Sequence, residues 1–145
     1  AWHVGYSGVE GLSLDYAVGQ TESIGSEQEH TTMKASYAYS SFTLSYSNTE
    51  SVHDDASVST DEEVSSWNIA YTVSDDLSIA YGTETIETEG QAIDEEAEKL
   101  NVSYTTGGVT LSATSYEFSG KGNSNANTAS QGDVERWALS ATFAF

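Results

Sequence analysis

The sequence predicts an all-β fold, a transmembrane antiparallel up-and-down β-barrel. Three observations carry that prediction. Large or apolar side chains recur at every second position in nine separate stretches, as in strands with one apolar and one polar face. The connections between the stretches alternate between tight and long, as in barrels with short turns at one rim and loops at the other. Aromatic residues gather at both ends of the apolar stripes with aliphatic residues between them, the profile of a wall standing in lipid.

The first stretch, 1–7, presents Trp2, Val4 and Tyr6. The second, 12–19, presents Leu12, Leu14, Tyr16 and Val18. The third, 32–40, carries Met33, Ala35, Tyr37 and Tyr39, and the fourth, 42–48, carries Phe42, Leu44 and Tyr46. Trp67, Ile69, Tyr71 and Val73 mark the fifth, 64–73; Leu77, Ile79 and Tyr81 mark the sixth, 77–86. The seventh, 99–106, has Leu100, Val102 and Tyr104. The eighth, 109–118, begins with Val109, Leu111 and Ala113 and then changes phase to Tyr116 and Phe118, which predicts a β-bulge. The ninth, 134–145, alternates through Trp137, Leu139, Ala141 and Phe143 to Phe145. Helices are excluded, because the spacing is i+2 and not i+3 or i+4.

Four connections are tight: Gly8 to Gly11, Ser40-Ser41, Ser74-Asp75-Asp76 and Gly107-Gly108, the last a strong hairpin signal. Four are long, over 20–31, 49–63, 87–98 and 119–133. The Gly/Asn/Ser stretch from Gly120 to Ser130 reads as a loop, so 1–145 is taken as one barrel domain. Nine strands that enter from the long-loop side do not close a barrel of even strand number. The chain is therefore expected to be the carboxy-terminal part of a larger barrel. The alternative is an eight-stranded barrel in which the first stretch does not span.

Two aromatic girdles follow from the strand directions. Trp2, Tyr16, Tyr46, Trp67, Tyr81, Tyr116, Phe118 and Trp137 fall near the long-loop rim. Tyr6, Tyr37, Tyr39, Phe42, Tyr71, Tyr104, Phe143 and Phe145 fall near the short-turn rim. The opposite face is small and polar. Its candidate pore-lining residues are Asp15, Lys34, Ser36, Asn68, Thr72, Asn101, Ser103, Thr110 and Ser112. Such side chains fill an interior poorly and suit the wall of a wet lumen.

Composition narrows the function. The net charge is -19, with 4 Lys and Arg in 145 residues, so the basic footprint of nucleic-acid binding is missing. There is no Cys, hence no disulfide framework or thiolate metal site. His53-Asp54-Asp55 lies among serines, but no nucleophile elbow accompanies it and the His residues lack metal-site spacing, so no catalytic function is expected. Asn101-Val102-Ser103 matches a glycosylation acceptor but sits mid-strand.

Acidic residues crowd the long loops, which predicts a negative mouth and a preference for cations. Asp54, Asp55, Asp61, Glu62, Glu63, Asp94, Glu95 and Glu96 are candidates for loosely held Ca²⁺, although none has the spacing of a twelve-residue calcium loop. No other cofactor is expected.

The last strand, with its terminal Ser140-Ala141-Thr142-Phe143-Ala144-Phe145, together with the alternating connections and the two girdles, resembles the carboxy-terminal half of Gram-negative general porins, in the style of alphaproteobacterial ones. The resemblance implies sixteen antiparallel strands, a homotrimer in the bacterial outer membrane with its acidic loops outside, and passive diffusion of small hydrophilic solutes. It implies contacts with outer-membrane lipid and lipopolysaccharide. It also implies that Ala141, Phe143 and Phe145 form the signal read by the barrel-assembly machinery. The family's row of wall arginines is not matched, since only Lys34 and Arg136 are candidates for that side. A small barrel serving as anchor, adhesin or phage receptor without transport is the alternative function.

Overall fold

The computed structural model describes residues 1–23, 26–54, 61–91, 93–120 and 133–143. These form nine strands: β1 (Trp2–Tyr6), β2 (Leu12–Ser23), β3 (Ser26–Tyr39), β4 (Phe42–His53), β5 (Glu62–Ser74), β6 (Leu77–Thr88), β7 (Glu95–Thr106), β8 (Val109–Ser119) and β9 (Val134–Phe143). All lie in one sheet in chain order, each antiparallel to the next, with β1 and β9 at its edges.

The short connections behave as their residues dictate. Gly107 and Gly108 have φ of 57° and 79°, the left-handed pair that a two-residue mirror-image turn requires. At the other end of the sheet the strands run further than the hydrophobic pattern does. β2 and β3 stay paired as far as Ser23 opposite Ser26, so the long loop expected over 20–31 is strand on both sides. β4 runs to His53, β6 to Thr88, and β7 begins at Glu95. The alternation of apolar residues marks only the middle of these strands. Beyond it Thr, Gln, Ser and Glu continue the backbone ladder without that signature.

The bulge expected in the eighth stretch is absent. β8 pairs without interruption with both neighbours, Tyr116 opposite Lys99 on one side and Arg136 on the other. The register shift in the sheet lies between Thr72 and Ser74, beside a tight turn. With no extra residue to restore the phase, Tyr116 and Phe118 share a face with Thr110, Ser112 and Thr114, not with Leu111. They leave the long-loop girdle for the polar face.

Among the described residues no hydrophobic side chain is buried. Trp137 is 74% exposed, Leu139 72% and Tyr39 69%. Among the described residues the sheet is one layer thick, with nothing packed on either face. Its lateral cohesion comes from the ladders and from cross-strand side-chain pairs. On the aromatic face Phe42 stacks on Tyr71 with centroids 4.3 Å apart, and Trp67 meets Tyr81 edge-on at 5.4 Å. Trp2 leans on Tyr16 at 5.3 Å, and Tyr37 lies parallel to Tyr39 at 6.4 Å. Tyr46 stands opposite Trp67, and Tyr104 opposite Leu77 and Leu111.

The register slants the apolar band. One row of paired residues runs Leu12, Tyr37, Leu44, Ile69, Tyr81, Leu100, Ser115, Trp137. It starts at the short-turn end of β2 and reaches the long-loop girdle at β9. A climb of about five residues at 3.4 Å, over seven interstrand steps of about 4.8 Å, corresponds to strands leaning roughly 25–30° from the perpendicular to the girdles.

Candidate functional site

The polar face is built from direct cross-strand pairs of small hydroxylated residues. Thr32 meets Thr49 at 3.2 Å, Ser47 meets Ser66 at 2.9 Å, Thr105 meets Thr110 at 2.9 Å and Ser112 meets Ser140 at 2.7 Å. Asn101 Nδ2 donates to Thr114 Oγ1 at 2.8 Å. Such pairs each contribute a fraction of a kcal/mol, about 0.2–1. They also leave the wall low, because none of these side chains reaches far from the sheet.

Where small residues adjoin, the wall is hollowed. A cavity of about 340 Å³ between β2 and β5 is lined by Ser13, Asp15, Lys34, Ser36, Ser45, Ser47, Ser66 and Asn68. Two adjacent register rows supply it: Ser13, Ser36, Ser45 and Asn68 in one, Asp15, Lys34, Ser47 and Ser66 in the other.

Asp15 stands directly opposite Lys34, yet its carboxylate turns the other way. His3 Nε2 donates to Asp15 Oδ1 at 2.9 Å, and Ser13 Oγ donates to Oδ2 at 3.3 Å. Gly5, opposite Asp15 on β1, makes room for this. A Cβ there would stand 3.1 Å from Asp15 Oδ1 and 3.5 Å from the His3 ring. Gly82 does the same at the far side, where a Cβ would come within 2.9 Å of Asn68 Nδ2. Among the described residues the close contacts between a basic side chain and a carboxylate are the imidazole–carboxylate contacts His3–Asp15 and His53–Asp61, so the Lys34 ammonium has no carboxylate of its own.

Of the residues assigned to this wall from the sequence, Asp15, Lys34, Ser36 and Asn68 come together in the hollow. Thr72, Asn101, Ser103, Thr110 and Ser112 share the face but lie outside the hollow, toward the short turns and β9. Sequence reasoning missed how His3, Gly5 and Gly82 serve the site, since only the register shows what they oppose. It also missed Lys99, which lies on this face between Gly82 and Tyr116. Tyr116 and Phe118 stack there at 6.3 Å, with Arg136 across from Tyr116.

The acidic residues divide by strand parity. Glu62, Glu84 and Glu95 join Asp15 on the polar face. Most others lie on the aromatic face beyond its long-loop girdle, where Glu50, Glu63 and Glu87 form one direct row and Glu98, Glu117 and Glu135 another. Asn48 Nδ2 donates to Glu63 at 2.6 Å and Tyr81 Oη to Glu98 at 3.0 Å.

The same parity splits the calcium candidates. Glu62 and Glu95 point to one face, Glu63 and Glu96 to the other. Asp61 accepts from the His53 backbone at 2.8 Å, Asp54 and Asp94 lie at strand ends, and Asp55 lies outside the described residues. Among the described residues no three carboxylates or imidazoles converge on a point that would hold a cation. Ala141 and Phe143 lie on the aromatic face of β9 opposite Leu111 and Val109, while Phe145 lies outside the described residues.

Set against protein-family models, curated proteins and solved structures, the chain matches none of them significantly.

Proposed function

We propose that this sheet is a wall of a porin-like channel in a bacterial outer membrane, passing small hydrophilic solutes and ions by diffusion. The observation that carries the reading is the sheet's two unlike, uncovered faces. The aromatic face leaves large hydrophobic residues exposed across every strand from β1 to β9, and so extended an apolar surface marks a membrane or protein contact, of which we take lipid as the cover. The aromatic girdles agree with that cover. The other face carries Lys34, Lys99, Arg136 and four carboxylates, which are costly to bury and so require water beside them.

In this reading the aromatic face contacts lipid and lipopolysaccharide, and the acidic rows of β4–β9 stand outside the bilayer. Wall charges nearly balance, so any cation preference is slight. A homotrimer and recognition of Ala141, Phe143 and Phe145 by the assembly machinery belong to the same proposal. The hollowed wall favours a channel over the alternative of a plugged anchor or receptor barrel.

The test is planar-bilayer recording on the full natural protein. Steady ohmic steps in KCl, shifted slightly toward cations in a salt gradient, are expected. A protein that inserts but passes no current would leave the anchor or receptor reading in place.

A further inference from the structure

We propose that the hollow between β2 and β5 is a binding subsite for small zwitterionic solutes of the amino-acid class, Lys34 taking the carboxylate and Asp15 the ammonium. The proposal rests on the channel reading and names a solute that such a channel would hold in passing.

The argument starts from two opposed charges that do not meet. Asp15 and Lys34 are register partners, and a plain surface pair at that spacing closes on itself. Here His3 draws the Asp15 carboxylate toward β1, through the space that Gly5 leaves open. Lys34 keeps three donors without an ionic partner. Asp15 has spent one bond on each oxygen, and a carboxylate offers about four lone-pair sites. The hollow therefore presents a free cation and an under-used anion side by side.

A simple anion in the hollow would meet Asp15, and a simple cation would meet Lys34. A neutral polyol would use neither charge. A zwitterion satisfies both, and its remaining polar groups face serine hydroxyls and the Asn68 amide. At about 340 Å³ the hollow is at the small end of small-molecule sites and open to the lumen. Weak binding follows, with half-saturation of about millimolar order, as suits a solute that must also leave.

The experiment is influx of L-serine into proteoliposomes holding the full natural protein, with glycine, acetate, methylammonium and glycerol as competitors. Serine influx is expected to saturate, and glycine alone to compete. Lys34→Met is expected to raise the half-saturating concentration at least about tenfold, the loss expected for one charge-assisted hydrogen bond. Lys34→Arg is expected to retain saturation, which a merely structural role for Lys34 does not predict. Influx that stays linear with serine concentration, or a Lys34→Met protein that saturates as before, overturns the subsite. If the natural protein passes no KCl current, the channel reading falls by itself. NMR titration of serine onto the detergent-solubilised protein then decides the subsite, and absence of binding overturns it.

Discussion

Tyr116 lies directly across β8 and β9 from Arg136, on the face that carries the Ser112–Ser140 hydroxyl pair. Among the described residues the Arg136 guanidinium has no carboxylate partner. The uninterrupted β8 ladder puts the pair on the polar face, which in the proposed channel is the wet wall. This pairing makes strand facing directly measurable, because the chain has no cysteine to compete with an introduced one.

In lipid vesicles, Ser112→Cys and Tyr116→Cys are expected to react with a hydrophilic maleimide. Leu111→Cys and Leu139→Cys are expected to be protected. A Leu139→Cys protein labelled as fast as Ser112→Cys would rule out lipid on the aromatic face.

The two faces of β9 should respond oppositely to charge. Leu139→Arg puts a guanidinium into the apolar band and is expected to cost about 2–4 kcal/mol, against little for Ser140→Arg one residue on. Urea unfolding of the vesicle-bound protein reads the difference. Equal costs at the two positions would contradict the assignment of faces.

Glu117 stands between Glu98 and Glu135, with like charges directly opposite on both sides. Such pairs destabilise a sheet, so Glu117→Gln is expected to stabilise by about 0.2–1 kcal/mol at low salt. The gain should shrink as salt screens the row. A loss of stability on the same denaturation curve would mean that the carboxylate has a favourable partner.

The β7–β8 turn depends on its glycines. At φ of 57° a β-branched side chain is strongly disfavoured, so Gly107→Val is expected to cost about 1–2 kcal/mol. Slower refolding into lipid, followed by tryptophan fluorescence, should accompany it. Unchanged stability and rate would show that the turn reshapes freely.

Much of the fold was legible in the residues. Alternation in stretches such as Trp67, Ile69, Tyr71 and Val73 identified every strand, because side chains of an extended chain point to opposite faces in turn. Gly107-Gly108 and Ser40-Ser41 located their turns for equally local reasons. Strand ends were not legible where Gln20 to Ser23 and Ser26 to Thr31 pair, because polar residues there carry no apolar alternation. The polar composition of the wall was legible too, but the site within it was not.

The sequence by itself determined which residues share a face, since that depends only on position along a strand. Tertiary structure alone decided which residue opposes which: His3 and Gly5 beside Asp15, Lys34 left without a carboxylate, Gly82 under Asn68, and Tyr116 between Lys99 and Arg136. These relations cross between strands, and a one-residue slip in register would undo every one of them while leaving the alternation unchanged.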